Sequence, residues 1–161
     1  QGVVGLAEEL GIKRQRAKEI IASYNEQFKT LEAFTKSCIE LAREKEYAET
    51  IMGRRRKLPG INSNNGMVKA FAERNAVNAP IQGSAADIIK VAMVKLFSEL
   101  EKGNWKSKMI MQVHDELVLE VPKDELESLK PIVRECMESA LEIAVPLIVD
   151  MKSGEDWLAA H

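Results

Sequence analysis

Cysteine and histidine are scarce in these 161 residues, at two each, and the scarcity excludes several classes of chemistry. Cys38 and Cys136 each fall within a helical apolar pattern. They read as small core residues of a reduced, cytoplasmic compartment, not as a disulfide or a metal pair. His114 and His161 have no evident partners for zinc ligation. No apolar run approaches a membrane span and no secretory signal is visible, so no membrane partner is expected. An excess of one charge is also missing. A net charge of -2 argues against bulk attraction to nucleic acid, while leaving room for a locally basic face. Internal repeats, low-complexity tracts and flexible linkers are absent. There is no initiator Met either, and the start at Gln1 reads as a fragment or a processed product.

What remains is ordinary for a globular chain, with 45% hydrophobic and 30% charged residues, enough for one domain or part of a larger one. Gly5 to Leu10 predicts a short helix stopped by Gly11. From Lys13 to Glu46, apolar residues at Ile20, Ile21, Tyr24, Phe28, Leu31, Phe34, Cys38 and Leu41 recur at spacings of three and four. That pattern gives one long amphipathic helix, or two meeting near Lys29-Thr30. Short strands are expected at Tyr47–Ile51 and Arg56–Leu58, with turn punctuation at Pro59-Gly60 and a loop over Asn62–Gly66. Helical signals resume near Met67, pause at Asn78-Ala79-Pro80, where proline should break or kink the helix, and end near Gly103. Lys123 to Ala144 predicts another amphipathic helix, with Pro122 and Pro131 favouring a kink or a late start. Val145 to Met151 reads as a final strand, its Leu147–Asp150 portion joining the sheet, and Trp157 as packing the tail back. The fold class is α+β, with a small, mainly antiparallel sheet packed by long amphipathic helices.

Between the last two helices, Met109 to Val113 and Leu117 to Val121 are apolar runs around a polar knot, Gln112 to Glu116. Such runs joined by a tight turn make a β-hairpin. Asp115-Glu116 is not the Asn-Gly or Asp-Gly pair that two-residue hairpin turns prefer. Carboxylates at the tip of a rigid hairpin can hold a divalent metal, although acidic residues are also common in solvated turns.

Gln112-Val113-His114-Asp115-Glu116 closely resembles the C-terminal catalytic motif of family-A DNA polymerases. The resemblance extends along nearly the whole chain. Thr50-Ile51-Met52-Gly53-Arg54-Arg55-Arg56-Lys57-Leu58-Pro59 is similar to a Thr-x-x-Gly-Arg-Arg-x-x-x-Pro segment of that family. Ala72-Glu73-Arg74 and Asn78 to Ile88 look like its palm helix, and Gly154-Glu155-Asp156-Trp157 like its closing segment. The resemblance implies a partial polymerase palm carrying a catalytic hairpin. Residues 1–46 would be helices that follow the fingers helix, and residues 47–161 a palm-type segment. The implied activity is template-directed addition of deoxynucleotides to a primer 3′ end, in DNA replication or repair, by two-metal phosphoryl transfer with Mg²⁺.

The resemblance also implies roles for single residues. Asp115 would be a metal ligand. Glu116 would be a supporting catalytic carboxylate that either modulates the metal's field or holds the hairpin. His114 would lie beside the primer terminus. Arg74, Asn78 and Gln82 recur every four residues and can donate to minor-groove acceptors shared by all base pairs, although Asn78 could instead bond local backbone. Arg54, Arg55 and Arg56 are consecutive cations whose forks suit phosphates, and which of them reach DNA and which pair with protein stays open. The expected partners are primer–template DNA, deoxynucleoside triphosphates and the remainder of a polymerase chain. The family's second metal-binding Asp motif and its triphosphate-binding fingers helix have no match here, so the chain alone is expected to be inactive. A non-enzymatic alternative is a duplex-binding module, because Leu6 to Ala17 resembles a helix-turn-helix with a basic second helix. The apolar run to about Leu41 counts against it, since a recognition helix ends sooner. A palm kept only as a scaffold is the remaining option, countered by the intact Asp115.

Overall fold

The structure is a computed structural model, and it describes residues 2–160. Gln1 and His161, the latter read above as having no evident partners for zinc, lie outside the described residues. The elements run α1 (Val3–Leu10), α2 (Arg14–Gln27), α3 (Lys29–Lys45), β1 (Tyr47–Glu49), β2 (Arg55–Lys57), α4 (Gly66–Lys102), β3 (Lys108–Val113), β4 (Glu116–Glu120), α5 (Leu126–Glu138) and α6 (Trp157–Ala160). The class is α+β, with two antiparallel two-stranded sheets among the described residues. No helix among these residues is long and apolar enough to cross a membrane. The chain divides into two compact units: residues up to Glu49 with Arg55–Pro80, and Thr50–Arg54 with the chain from Ile81 onward.

In the first unit, the periodic stretch after Lys13 resolves as two helices, not one. Phe28 leaves helical geometry (φ -111°, ψ 55°), and its ring packs on Tyr24 with centroids 4.7 Å apart. α3 closes on Glu46 in the left-handed region, with Arg43 and Lys45 in its last turn, where cations complement the helix dipole. β1 and β2 pair Tyr47 with Lys57, Ala48 with Arg56 and Glu49 with Arg55. The core gathers Ala42, Ala48, Leu58, Ile61, Ala72, Ala76 and Ala79, with Ile39 packed against it. The three α4 alanines recur at spacings of four and three, one stripe of small side chains that lets the helix approach closely.

α4 begins where the Asn65 side chain accepts the Met67 N–H at 3.0 Å, an N-cap formed by a residue type suited to it. The expected pause at Asn78–Pro80 is not found, because α4 continues through Pro80. An interior proline costs about 3 kcal/mol of helix propensity. The buried faces on either side of it, Ala76 and Ala79 before and Ala92 and Leu96 after, offset that cost.

In the second unit, Leu96, Leu100, Leu129, Val133 and Cys136 form the core, covered by Trp105, Met109, Leu117, Leu119 and Val121 from the β3–β4 region. Leu117 and Leu119 alternate along β4 and so face the same side, and Val121 follows just past its end. A register shift between Met109 and Met111 leaves Ile110 as an extra, exposed residue. The Glu125 carboxylate accepts the Lys106 and Ser107 N–H groups, both at 3.0 Å, and the Ser107 hydroxyl at 2.5 Å, tying the entry of β3 to the entry of α5. Those bonds, with Ser107 first, hold the Glu125 carboxyl below its usual range.

Two expectations fail at the C-terminal end. The helix after Pro122 starts late, at Leu126, and stops at Glu138, well short of Ala144. Its end is closed by the Lys95 ammonium, which donates to the Ser139 carbonyl. The strand expected over Val145–Met151, with Leu147–Asp150 in the sheet, does not form. Pro146 has no N–H for a ladder, and the Val149 N–H is taken by the Glu138 side chain at 3.1 Å. Met151 still packs on the core, while Ile148 stays 80% exposed. Trp157 opens α6 with about half its surface covered.

Candidate active site and nucleic-acid interface

The polar knot is a two-residue hairpin turn. Val113 pairs with Glu116, so His114 and Asp115 are its central residues and Glu116 is the first residue of β4. The turn therefore falls one residue earlier than an Asp115-Glu116 turn would. His114 adopts φ +52°, a region that histidine enters more readily than most non-glycine residues. The Gln112 side chain donates to the His114 carbonyl and braces that conformation. His114, Asp115 and Glu116 are all exposed.

The Asp115 carboxylate accepts no hydrogen bond or ion pair among the described residues, so its oxygens are available. Among those residues there is also no group of three or more His, Cys, Asp or Glu that could hold a metal ion. Mg²⁺ is commonly bound by one or two carboxylates, with water and substrate phosphates completing six oxygens. Asp115 fits that donor chemistry as a contributor to a site, not as a closed site.

On α4, Arg74, Asn78 and Gln82 are all exposed. The Arg74 guanidinium lies 5.8 Å from the Phe71 ring centroid. Asn78 and Gln82 make no side-chain hydrogen bond among the described residues. The local backbone bond considered for Asn78 is therefore not made, and both amides are unspent.

Two of the three consecutive arginines are engaged within the protein. Arg54 lies 2.8 Å from Asp87 and donates to the Gly83 carbonyl at 3.0 Å. Arg55 donates to Glu49 at 2.8 Å and stacks 4.7 Å over the Tyr47 ring. Hydrogen bonding to Glu49 raises the pKa of that guanidinium further. Arg56 makes no ion pair among the described residues. A guanidinium has five N–H donors, so Arg54 and Arg55 keep some for other acceptors.

Asp87 is the residue whose importance the sequence did not reveal. It is 6% exposed and receives the Thr50 hydroxyl as well as Arg54. The hydrogen bond from Thr50 comes first in holding its carboxyl below the ordinary value of 3.8; burial opposes this and Arg54 reinforces it. The only local signal was a carboxylate set in an apolar helical run, Ala85-Ala86-Asp87-Ile88-Ile89.

A folded-state pKa below the unfolded one contributes stability that is complete above the unfolded value and is lost as pH falls through the folded one. Asp87→Asn should therefore be less stable than the parent at pH 7. The gap should shrink below about pH 4, near the unfolded carboxyl value. Urea unfolding of both proteins across pH 3 to 7 measures this, and a gap independent of pH would contradict it.

The family model for DNA polymerase family A matches residues 1–159. The chain belongs to that family. It is 49% identical over 156 residues to DNA polymerase I of Streptococcus pneumoniae, which covers 97% of this chain and 18% of that protein. DNA polymerase I of Bacillus subtilis is 46% identical over the same length, again with 97% and 18% covered. A solved structure, the POL domain of Pol1 from M. smegmatis in complex with DNA primer-template and dNTP, superposes with a TM-score of 0.95 at 42% identity. That match covers 99% of this chain and 28% of the solved one. The chain thus spans about a fifth of the length of the curated relatives it matches.

Proposed function

We propose that this chain supplies the duplex-binding helix and one metal-binding carboxylate of a DNA-directed DNA polymerase, which extends a primer with deoxynucleoside triphosphates. The carrying observation is the exposed, unengaged Asp115 carboxylate at the tip of a hairpin braced by Gln112. Asp115 holds Mg²⁺ and Glu116 supports it. The bound ions supply charge neutralisation for the attacking and leaving oxygens of phosphoryl transfer. His114 orients the primer terminus. Arg74, Asn78 and Gln82 donate to minor-groove acceptors common to every base pair, as an enzyme that accepts any paired sequence requires. Arg54 and Arg55 use their remaining donors on backbone phosphate. The second carboxylate and the triphosphate site come from the remainder of the polymerase chain, and the work is cytoplasmic.

The alternative of a separate duplex-binding module draws on α1 and α2, which do form a helix pair joined through Gly11. α2 ends at Gln27, so its length no longer counts against that reading. The family match runs through both helices, however, and leaves no independent support for a module there.

The test is sequence-independent loss of affinity. In the complete polymerase, Arg74→Ala and Gln82→Ala should each weaken primer–template binding about fivefold, the equivalent of one hydrogen bond of about 1 kcal/mol. The loss should be equal for primer ends of different sequence. Fluorescence anisotropy with several labelled duplexes measures it. Unchanged affinity in both variants would remove α4 from the interface.

A further inference from the structure

The turn between β1 and β2 is fastened to α4 by contacts that the polymerase reading does not use. The Thr50 hydroxyl donates to Asp87 and accepts the Arg54 N–H at 3.2 Å. The Arg54 guanidinium reaches Asp87 at 2.8 Å and the Gly83 carbonyl at 3.0 Å. The Ile51 N–H donates to the Ser84 hydroxyl at 2.9 Å. Gly83 makes the approach possible, since a Cβ there would run into the Thr50 methyl group. At the apex of the turn, Gly53 takes φ +77°, which suits glycine.

The contacts that reach α4 land on Gly83, Ser84 and Asp87, the stretch that follows Gln82 directly. That stretch needs fastening. Pro80 has no N–H to offer the Ala76 carbonyl, so α4 lacks one rung just before Gln82. A helix weakened at that rung would otherwise let the Gln82 amide wander relative to any duplex it meets.

We propose that Thr50, Arg54 and Asp87 are positioning residues for Gln82: they hold the α4 turn that carries it, so that its amide meets the minor groove in one fixed place. This rests on the reading of Gln82 as a duplex contact. Thr50 and Asp87 touch no DNA themselves and act through the helix, while Arg54 holds the helix with some of its donors and keeps others for backbone phosphate.

A double-mutant cycle on the complete polymerase separates positioning from simple stabilisation. Thr50→Val keeps the side-chain shape and removes the hydroxyl. It should weaken primer–template binding about fivefold, whereas Thr50→Ser, which retains the hydroxyl, should stay within about twofold of the parent. In a Gln82→Ala background, Thr50→Val should add less than about twofold, because the group being positioned is gone. Equal losses from Thr50→Val with and without Gln82 would overturn the positioning role while leaving Gln82 as a contact. No loss from Gln82→Ala alone would overturn both. If Thr50→Val does not fold, Asp87→Asn takes its place in the same cycle, since it keeps an oxygen for Thr50 and weakens the hold on Arg54.

Discussion

Replacing Asp115 with Ala in the complete polymerase is expected to abolish primer extension and leave primer–template affinity within about twofold of the parent, since no contact of the kind worth about 1 kcal/mol is removed. The asymmetry follows from where the residue sits. Asp115 is a central residue of a two-residue turn, exposed and without a partner inside the protein, so truncation leaves no orphaned donor. The β3–β4 ladder and the packing of Leu117 and Leu119 are untouched. On the proposed reading, what is lost is an oxygen donor for Mg²⁺ and the charge that would stabilise the transition state. Metal stabilisation is worth several kcal/mol, so the rate should fall on the order of a thousandfold or more. Single-turnover extension at saturating enzyme reads the chemistry, and anisotropy reads binding. Extension within tenfold of the parent would show that Asp115 holds no essential metal.

The hairpin that bears the candidate site was more legible in the sequence than the helices were. The hairpin announced itself through two apolar runs and a short polar knot, because strand periodicity and turn length are local properties. The placement of the turn was not local. It depends on the pairing of Val113 with Glu116 and on His114 accepting a positive φ. Arg74, Asn78 and Gln82 were visible as polar residues at four-residue spacing, and the structure leaves all three exposed.

Tertiary contacts decided what the sequence could not. No Gly or Pro marks the break at Phe28, so the periodic pattern left one helix or two open; the Tyr24 ring contact beside the break is itself local. Pro80 suggested a break or a kink, and α4 runs on through it as one helix, with buried alanines and Leu96 packing the stretches on either side. The stretch Val145–Met151 has strand-like composition, but its Val149 donor goes to Glu138, eleven residues away. Asp87 was hidden for the same reason. Its partner Thr50 lies 37 residues earlier, and a helical pattern carries no trace of a contact across that distance.

The isolated chain, purified as these 161 residues, is expected to give no primer extension. Mg²⁺ demands near-octahedral oxygen coordination, and Asp115 offers one carboxylate to it. Among the described residues no second set of acidic or histidine side chains converges to complete a site. On the proposed reading the other donors come from the remainder of the polymerase chain, so the rate of the isolated chain should lie at least about a millionfold below that of the complete enzyme, the low end of enzymatic acceleration. A labelled primer–template incubated with micromolar chain, Mg²⁺ and all four deoxynucleoside triphosphates measures this on a gel. The Asp115→Ala chain, purified in parallel, separates intrinsic turnover from a trace of host polymerase. Extension present in the parent chain and absent in that variant would show that these residues alone build a working site.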